Sequence, residues 1–145
     1  MQVSIQRIDA TLPLPGYQTA GAVGFDIVTR ETTVIEPGTI ALVPGNVIVK
    51  VPAGYALFIV PRSSLPRKKG LSFPHSVGII DQDYHGEKDE LLVQVRNDST
   101  ASVTVERGER IAQGIFVKTE QAQWQEVDSH GAATRGGFGS TGSSS

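Results

Sequence analysis

The sequence contains no cysteine, which excludes disulfide scaffolds, thiolate metal sites, iron–sulfur clusters and thiol nucleophiles together. It also lacks a strong charge of either sign: 13 basic residues face 15 acidic ones, for a net charge of −2. A general nucleic-acid binder is expected to be markedly basic, so no nucleic-acid partner is expected, and any phosphate must be met by a few local cations. Long apolar runs are missing too. The longest, Tyr55 to Val60, is far short of a membrane span. The opening Met1-Gln-Val-Ser-Ile-Gln-Arg-Ile has neither a signal nor a transit pattern, which points to a soluble cytoplasmic protein. There is no internal repeat, hence no propeller or solenoid.

What is present is branched at Cβ. Val and Ile together number 27 against 8 Leu, a balance that suits a pleated surface better than a helix. Val3, Ile5 and Ile8 open the chain; Ile40–Val43, Val47–Val51, Tyr55–Val60, Leu91–Val95, Ser102–Val105 and Ile111–Val117 follow as short apolar segments. Turn residues such as Glu36-Pro-Gly, Pro44-Gly-Asn, Pro52-Ala-Gly and Arg107-Gly-Glu separate them. Strands at this spacing predict a single all-β domain, a sandwich or jelly roll. At 145 residues it is long enough to bury roughly 70% of its unfolded surface. The best helical candidate is Ser63-Ser-Leu-Pro-Arg-Lys-Lys, where Ser can cap and Pro fits the first turn.

Five segments carry chemistry. In Ala20-Gly-Ala-Val-Gly-Phe-Asp-Ile, the Asp26 carboxylate is out of place between Phe25 and Ile27. In Pro61-Arg-Ser-Ser-Leu-Pro, the Arg62 guanidinium and the Ser63 and Ser64 hydroxyls meet backbone N–H groups, an anion-binding combination. Arg67, Lys68 and Lys69 beyond them read as a basic surface loop. Asp81 follows Val77-Gly-Ile-Ile and is expected at a strand end, where partial burial would sharpen its basicity. Tyr84 lies three residues on, within reach of a bound ring, while most of the acids at 83–90 are expected to be solvated. Arg110 and Gln113 interrupt an apolar stretch and need polar partners; for Arg110 a structural bond is as good a reading as a ligand contact. The last segment, 129–145, has five Gly and five Ser and by composition is a flexible linker. Arg135 and Phe138 argue otherwise, since a guanidinium and a ring three residues apart suit a ligand with a phosphate and a flat base. His75, His85 and His130 fit no metal-ligand spacing.

In this order the five segments resemble the motifs of the trimeric dUTP diphosphatases, from Ala20 to Gly142. Gly78-Ile-Ile-Asp-Gln-Asp-Tyr-His-Gly and Arg135-Gly-Gly-Phe-Gly-Ser-Thr-Gly are the most diagnostic pieces. The resemblance implies a jelly-roll-like (β-clip) domain over 1–128 and a C-terminal arm over 129–145 that is exchanged within a homotrimer. Three sites would lie at subunit junctions. An arm of 17 residues spans up to about 56 Å when extended, enough to reach a neighbour. The implied reaction is Mg²⁺-dependent hydrolysis of dUTP to dUMP and diphosphate, which limits uracil in DNA and supplies dUMP for thymidylate. Asp81 would be the general base for water attacking the α-phosphorus, and Asp26 would hold the metal through water. Arg62, Ser63, Ser64, Gln113, Arg135, Gly139, Ser140 and Thr141 would bind phosphates, and Phe138 would close over uracil. Uracil would be read by His75 and by main-chain groups around Gly78, Ile79 and Ile80, with Tyr84 against the deoxyribose.

Two positions differ from the commoner pattern: His75 stands where Asn is frequent, and Arg-Ser-Ser replaces Arg-Ser-Gly. Arg-Ser-Ser also occurs in the dCTP deaminases, which share the fold and form the first alternative. Their chemistry needs a Glu proton shuttle after the hairpin, where this sequence has Leu91 or Gln94, with Glu90 adjacent. A non-catalytic trimeric β-module that binds a nucleotide or a protein is the second.

Overall fold

A computed structural model describes residues 1–139. The predicted β architecture is found, with eleven strands and one short helix among the described residues. The strands are β1 (Ser4–Arg7), β2 (Phe25–Ile27), β3 (Thr33–Ile35), β4 (Ile40–Pro44), β5 (Val47–Lys50) and β6 (Tyr55–Pro61). After α1 (Leu65–Lys69) come β7 (Leu71–Ser72), β8 (Gly78–Ile80), β9 (Leu92–Asn97), β10 (Val103–Val105) and β11 (Ala112–Lys118). The short β3 and β7 were not visible as apolar runs in the sequence. Three residues and two residues give alternation too little length to show.

Every ladder is antiparallel. A four-stranded sheet runs β2-β11-β6-β8, a three-stranded one β4-β9-β7, and two ribbons pair β1 with β5 and β10 with β3. Non-consecutive neighbours throughout give the jelly-roll-like character expected. Alternate residues turn inward, as the period-two pleat requires: Val93 and Val95 of β9 are buried while Leu92 and Arg96 are exposed. They meet Ile27, Val43, Leu57, Leu71 and Ile111 in one cluster. Each such side chain contributes roughly 1.5–3 kcal/mol on full burial.

Two glycines matter for placing the site. Gly114 of β11 faces Phe25 of β2, whose ring occupies the space a Cβ would need. Gly70 ends α1 in the left-handed conformation (φ 65°), donating its N–H to Pro66 O at 2.8 Å. Beyond Lys118, residues 119–139 form no strand or helix, and Trp124 stands almost fully exposed. No helix of the described residues is long and apolar enough to cross a membrane.

Candidate functional site

One polar cluster forms on the β2 edge of the four-stranded sheet. Asp26 occupies the middle of β2 with only 2% of its surface exposed. The sheet register explains why Gln113 reaches it: Asp26 pairs directly with Gln113 of β11, which pairs with Val60 of β6. Gln113 Nε2 donates to Asp26 Oδ1 at 3.4 Å. Arg62, one residue past β6, brings Nε to 3.4 Å from Oδ1, and Arg110 brings Nη1 to 3.6 Å from Oδ2. Asp26 Oδ2 nevertheless has no hydrogen-bond partner. A buried carboxylate oxygen without a donor is costly, of order 1–3 kcal/mol or more, so it is a position at which a further donor would be welcome.

Beside the cluster, the β6–α1 turn opens a pocket of about 200 Å³ lined by Arg62, Ser64, Lys68, Lys69, Glu109 and Arg110. Arg62 is fixed there by its own N–H on Ile111 O (3.1 Å) and by Nη1 on Arg110 O (3.3 Å). The expectation that Ser caps α1 is corrected. Ser64 adopts helical dihedrals (φ −86°, ψ −10°) and makes no side-chain capping bond. Its hydroxyl is therefore not committed to the helix. Lys69 belongs to the last turn of α1 rather than to a loop, and its Nζ pairs with Glu109 at 3.0 Å and donates to Thr104 O at 2.9 Å.

A second polar region lies on the opposite edge. β8 carries Gly78, Ile79 and Ile80 against β6, with Ile80 opposite Leu57. His75, in the turn before it, stacks on Phe73 with ring centroids 5.7 Å apart and planes 2° from parallel. Asp81 ends the strand as expected but is exposed, so the partial burial anticipated for it is not supplied within one chain. The reason is its place at a sheet edge with no strand beyond it among the described residues. Its carbonyl accepts the Tyr84 N–H (3.3 Å), folding the loop back, and the Tyr84 hydroxyl donates to Glu90 O at 3.1 Å. Asp81 also lines a cleft of about 730 Å³ with Tyr55, Phe58, Ile79 and Gln82. Glu90 departs from the solvated majority of the loop acids, because Arg30 grips its carboxylate.

The two regions do not meet. Asp26 is level with Val60, whereas Asp81, continuing the β8 register, is level with Ala56, three strands away. Three strand spacings across and four residues along place them on the order of 20 Å apart. Arg135, Phe138 and Gly139 are exposed and belong to neither region; Ser140 and Thr141 lie outside the described residues. Sequence reading singled out Asp26, Arg62 and Gln113 separately, and the structure brings these three together. It adds Arg110, for which the sequence left the choice open, and the Arg30–Glu90 pair, whose partners lie 60 residues apart and left no local signal.

The antiparallel β-fold thus carries a buried acid between two guanidiniums on one sheet edge and a Gly-Ile-Ile-Asp segment on the other. The chain belongs to the dUTPase family, whose model matches residues 10–142. It is 42% identical over 144 residues to the deoxyuridine 5′-triphosphate nucleotidohydrolase of Thermobifida fusca, covering 98% of this chain and 79% of that one. The same enzyme of Corynebacterium diphtheriae is 41% identical over 142 residues, covering 97% and 92%. Among solved structures, the dUTPase of Streptococcus mutans is 35% identical with a TM-score of 0.76 over 83% of this chain and 98% of that one. The dUTPase of Staphylococcus bacteriophage 80alpha with dUPNHPP is 25% identical with a TM-score of 0.86, over 97% and 98%.

Proposed function

We propose that the protein hydrolyses dUTP to dUMP and diphosphate at sites completed between chains of a homotrimer. The single observation that carries this reading is the split geometry: a cationic cluster on one sheet edge, and an uncommitted, exposed carboxylate on the other. Three or four negative charges on a triphosphate need cations and oriented donors, which Arg62, Arg110, Gln113 and the Ser63-Ser64 turn supply. A second chain brings Asp81 to that cluster. Asp81 takes a proton from water while the water oxygen bonds to the α-phosphorus; the bond from that phosphorus to the α–β bridging oxygen breaks, and diphosphate leaves with it. General-base catalysis of this kind is worth roughly 10²–10⁴-fold.

The remaining roles follow the family resemblance. Residues 1–128 form the β-domain, and 129–145 form an arm that reaches a neighbour, placing Arg135, Gly139, Ser140 and Thr141 on phosphates and Phe138 over the base. His75 and the main chain of Gly78–Ile80 read uracil, and Tyr84 packs on the deoxyribose, leaving no room for a 2′-hydroxyl. Among the described residues no three His, Cys, Asp or Glu side chains cluster to hold a metal alone. The donor set fits Mg²⁺ held chiefly by phosphates and water, and Asp26 Oδ2, short of a donor, would help hold it through water. When bound, Mg²⁺ neutralises and orients the triphosphate. The enzyme would act in the cytoplasm, keeping uracil out of DNA and supplying dUMP.

Hydrolysis in ¹⁸O-water tests the reaction: the label should appear in dUMP. Label confined to diphosphate would contradict attack at the α-phosphorus. The deaminase alternative is disfavoured by Glu90, the nearest candidate shuttle, whose carboxylate is held by Arg30 at 2.8 and 3.0 Å and by the Asn46 N–H at 3.0 Å. Ammonia release from dCTP would favour it.

A further inference from the structure

The Tyr84 hydroxyl bond ends on a residue that is itself clamped. Glu90 Oε1 and Oε2 accept from Arg30 Nε (2.8 Å) and Nη2 (3.0 Å), a parallel two-bond pairing that fixes direction as well as distance. Oε1 also accepts the Asn46 N–H at 3.0 Å. The pair is half-buried, with side-chain exposures of 24% and 15%. Each anchor is tied down in turn. The Arg30 N–H donates to Pro44 O (2.8 Å), and the Asn46 side chain both accepts from Asp9 N (2.7 Å) and donates to Asp9 O (3.1 Å). The next residue, Leu91, is buried and bonded on both sides, its N–H to Val47 O and its carbonyl to Gly45 N, each at 2.8 Å. The Glu90 carbonyl is thus held from both sides, by its own side chain's clamp and by the Leu91 backbone bonds, yet the Tyr84 it binds is 36% exposed. Arg30 lies three residues past β2, the strand that carries Asp26, so the clamp joins that strand to the loop of Asp81 and Tyr84.

We propose that Arg30 and Glu90 are positioning residues for Tyr84: their ion pair fixes the carbonyl that holds the Tyr84 hydroxyl, and so sets discrimination between deoxyribose and ribose. The proposal rests on the reading of Tyr84 as the residue against the sugar. A ring tethered at its hydroxyl cannot swing aside for an extra oxygen, whereas an untethered one can. Loss of the tether therefore relaxes selectivity more than it slows turnover.

The test measures kcat/KM for dUTP and for UTP in wild type, Tyr84→Phe, Glu90→Gln, the double variant and Arg30→Lys, with a melting temperature for each. Glu90→Gln keeps the shape but loses one acceptor for Arg30. Tyr84→Phe and Glu90→Gln should each lower the dUTP/UTP ratio roughly three- to tenfold, the worth of one hydrogen bond. The double variant should be no worse than Tyr84→Phe alone, because both act through one bond. Arg30→Lys keeps the charge without the fork and should fall between wild type and Glu90→Gln. An unchanged ratio in Glu90→Gln with a lowered melting temperature would show a purely structural pair and overturn the proposal. So would an unchanged ratio in Tyr84→Phe, or losses that add in the double variant. Should Glu90→Gln fail to fold, an unchanged ratio in Arg30→Lys beside a lowered one in Tyr84→Phe would overturn it equally. Wild-type protein that does not turn over dUTP would instead refute the proposed function itself.

Discussion

The two edges of the β2-β11-β6-β8 sheet solve opposite problems. On the β2 edge one chain assembles its own polar cluster: Asp26 is buried, and Arg62, Arg110 and Gln113 converge on it. On the β8 edge Asp81 and Ile79 are exposed, with no further strand among the described residues to cover them. A binding group can be finished within a protomer because it only has to wait for phosphate. A general base has to be placed against the reacting phosphorus, and in the proposed reading that placement falls to another chain. A protein of net charge −2 thus gathers Arg62 and Arg110 at one place on its surface.

The comparison can be broken most severely at the β8 edge. Asp81→Asn is expected to lower turnover by roughly 10²-fold or more while triphosphate binding persists; single-turnover kinetics and equilibrium binding check both halves. Removing residues 133–145 should leave the proposed trimer intact and eliminate most activity, which sedimentation and a dUTP assay would show together. At the β2 edge, Gly114→Ala forces a methyl into the space of the Phe25 ring and displaces the strand of Asp26. A destabilisation of about 1–3 kcal/mol is expected, read from denaturant unfolding. The smallest effect concerns acid. Asp9 is held well below its ordinary value of 3.8 by bonds from Thr11 and then Arg107, and Asp98 is lowered by Ser72 and then Arg96. Depressed carboxylates stabilise the fold above their unfolded value and stop doing so as the pH falls through the folded one. The melting temperature should therefore decline below about pH 4, and less steeply in Asp9→Asn.

Much of the fold was legible because its long strands declare themselves. β6 and β9 appear in sequence as Tyr55–Val60 and Leu91–Val95, and the Ser63–Lys69 stretch contains the one helix of the described residues. β3 and β7 were silent, being held by their partners Val103–Val105 and Asn97–Arg96 rather than by any pattern of their own. At the site, Asp26 was legible as a charge among apolar neighbours, and the register then delivered Gln113 to it. Asp81 was legible as a position but not as an environment, since exposure depends on which strand ends the sheet. The Arg30–Glu90 clamp was illegible: an Arg after a strand and one acid among several carry no mark of having found each other.

The distance of about 20 Å between Asp26 and Asp81 makes one measurement decisive. Asp81→Asn chains and Arg62→Ala chains, each expected to be strongly impaired alone, are unfolded together at equal amounts, refolded and assayed with dUTP. If each site takes its base and its phosphate-binding arginine from different chains, activity should return toward about a quarter of the wild-type rate, the share of junctions that join two intact residues at random. Mixed trimers that form and remain inactive would show that both residues serve from a single chain, and would contradict the account.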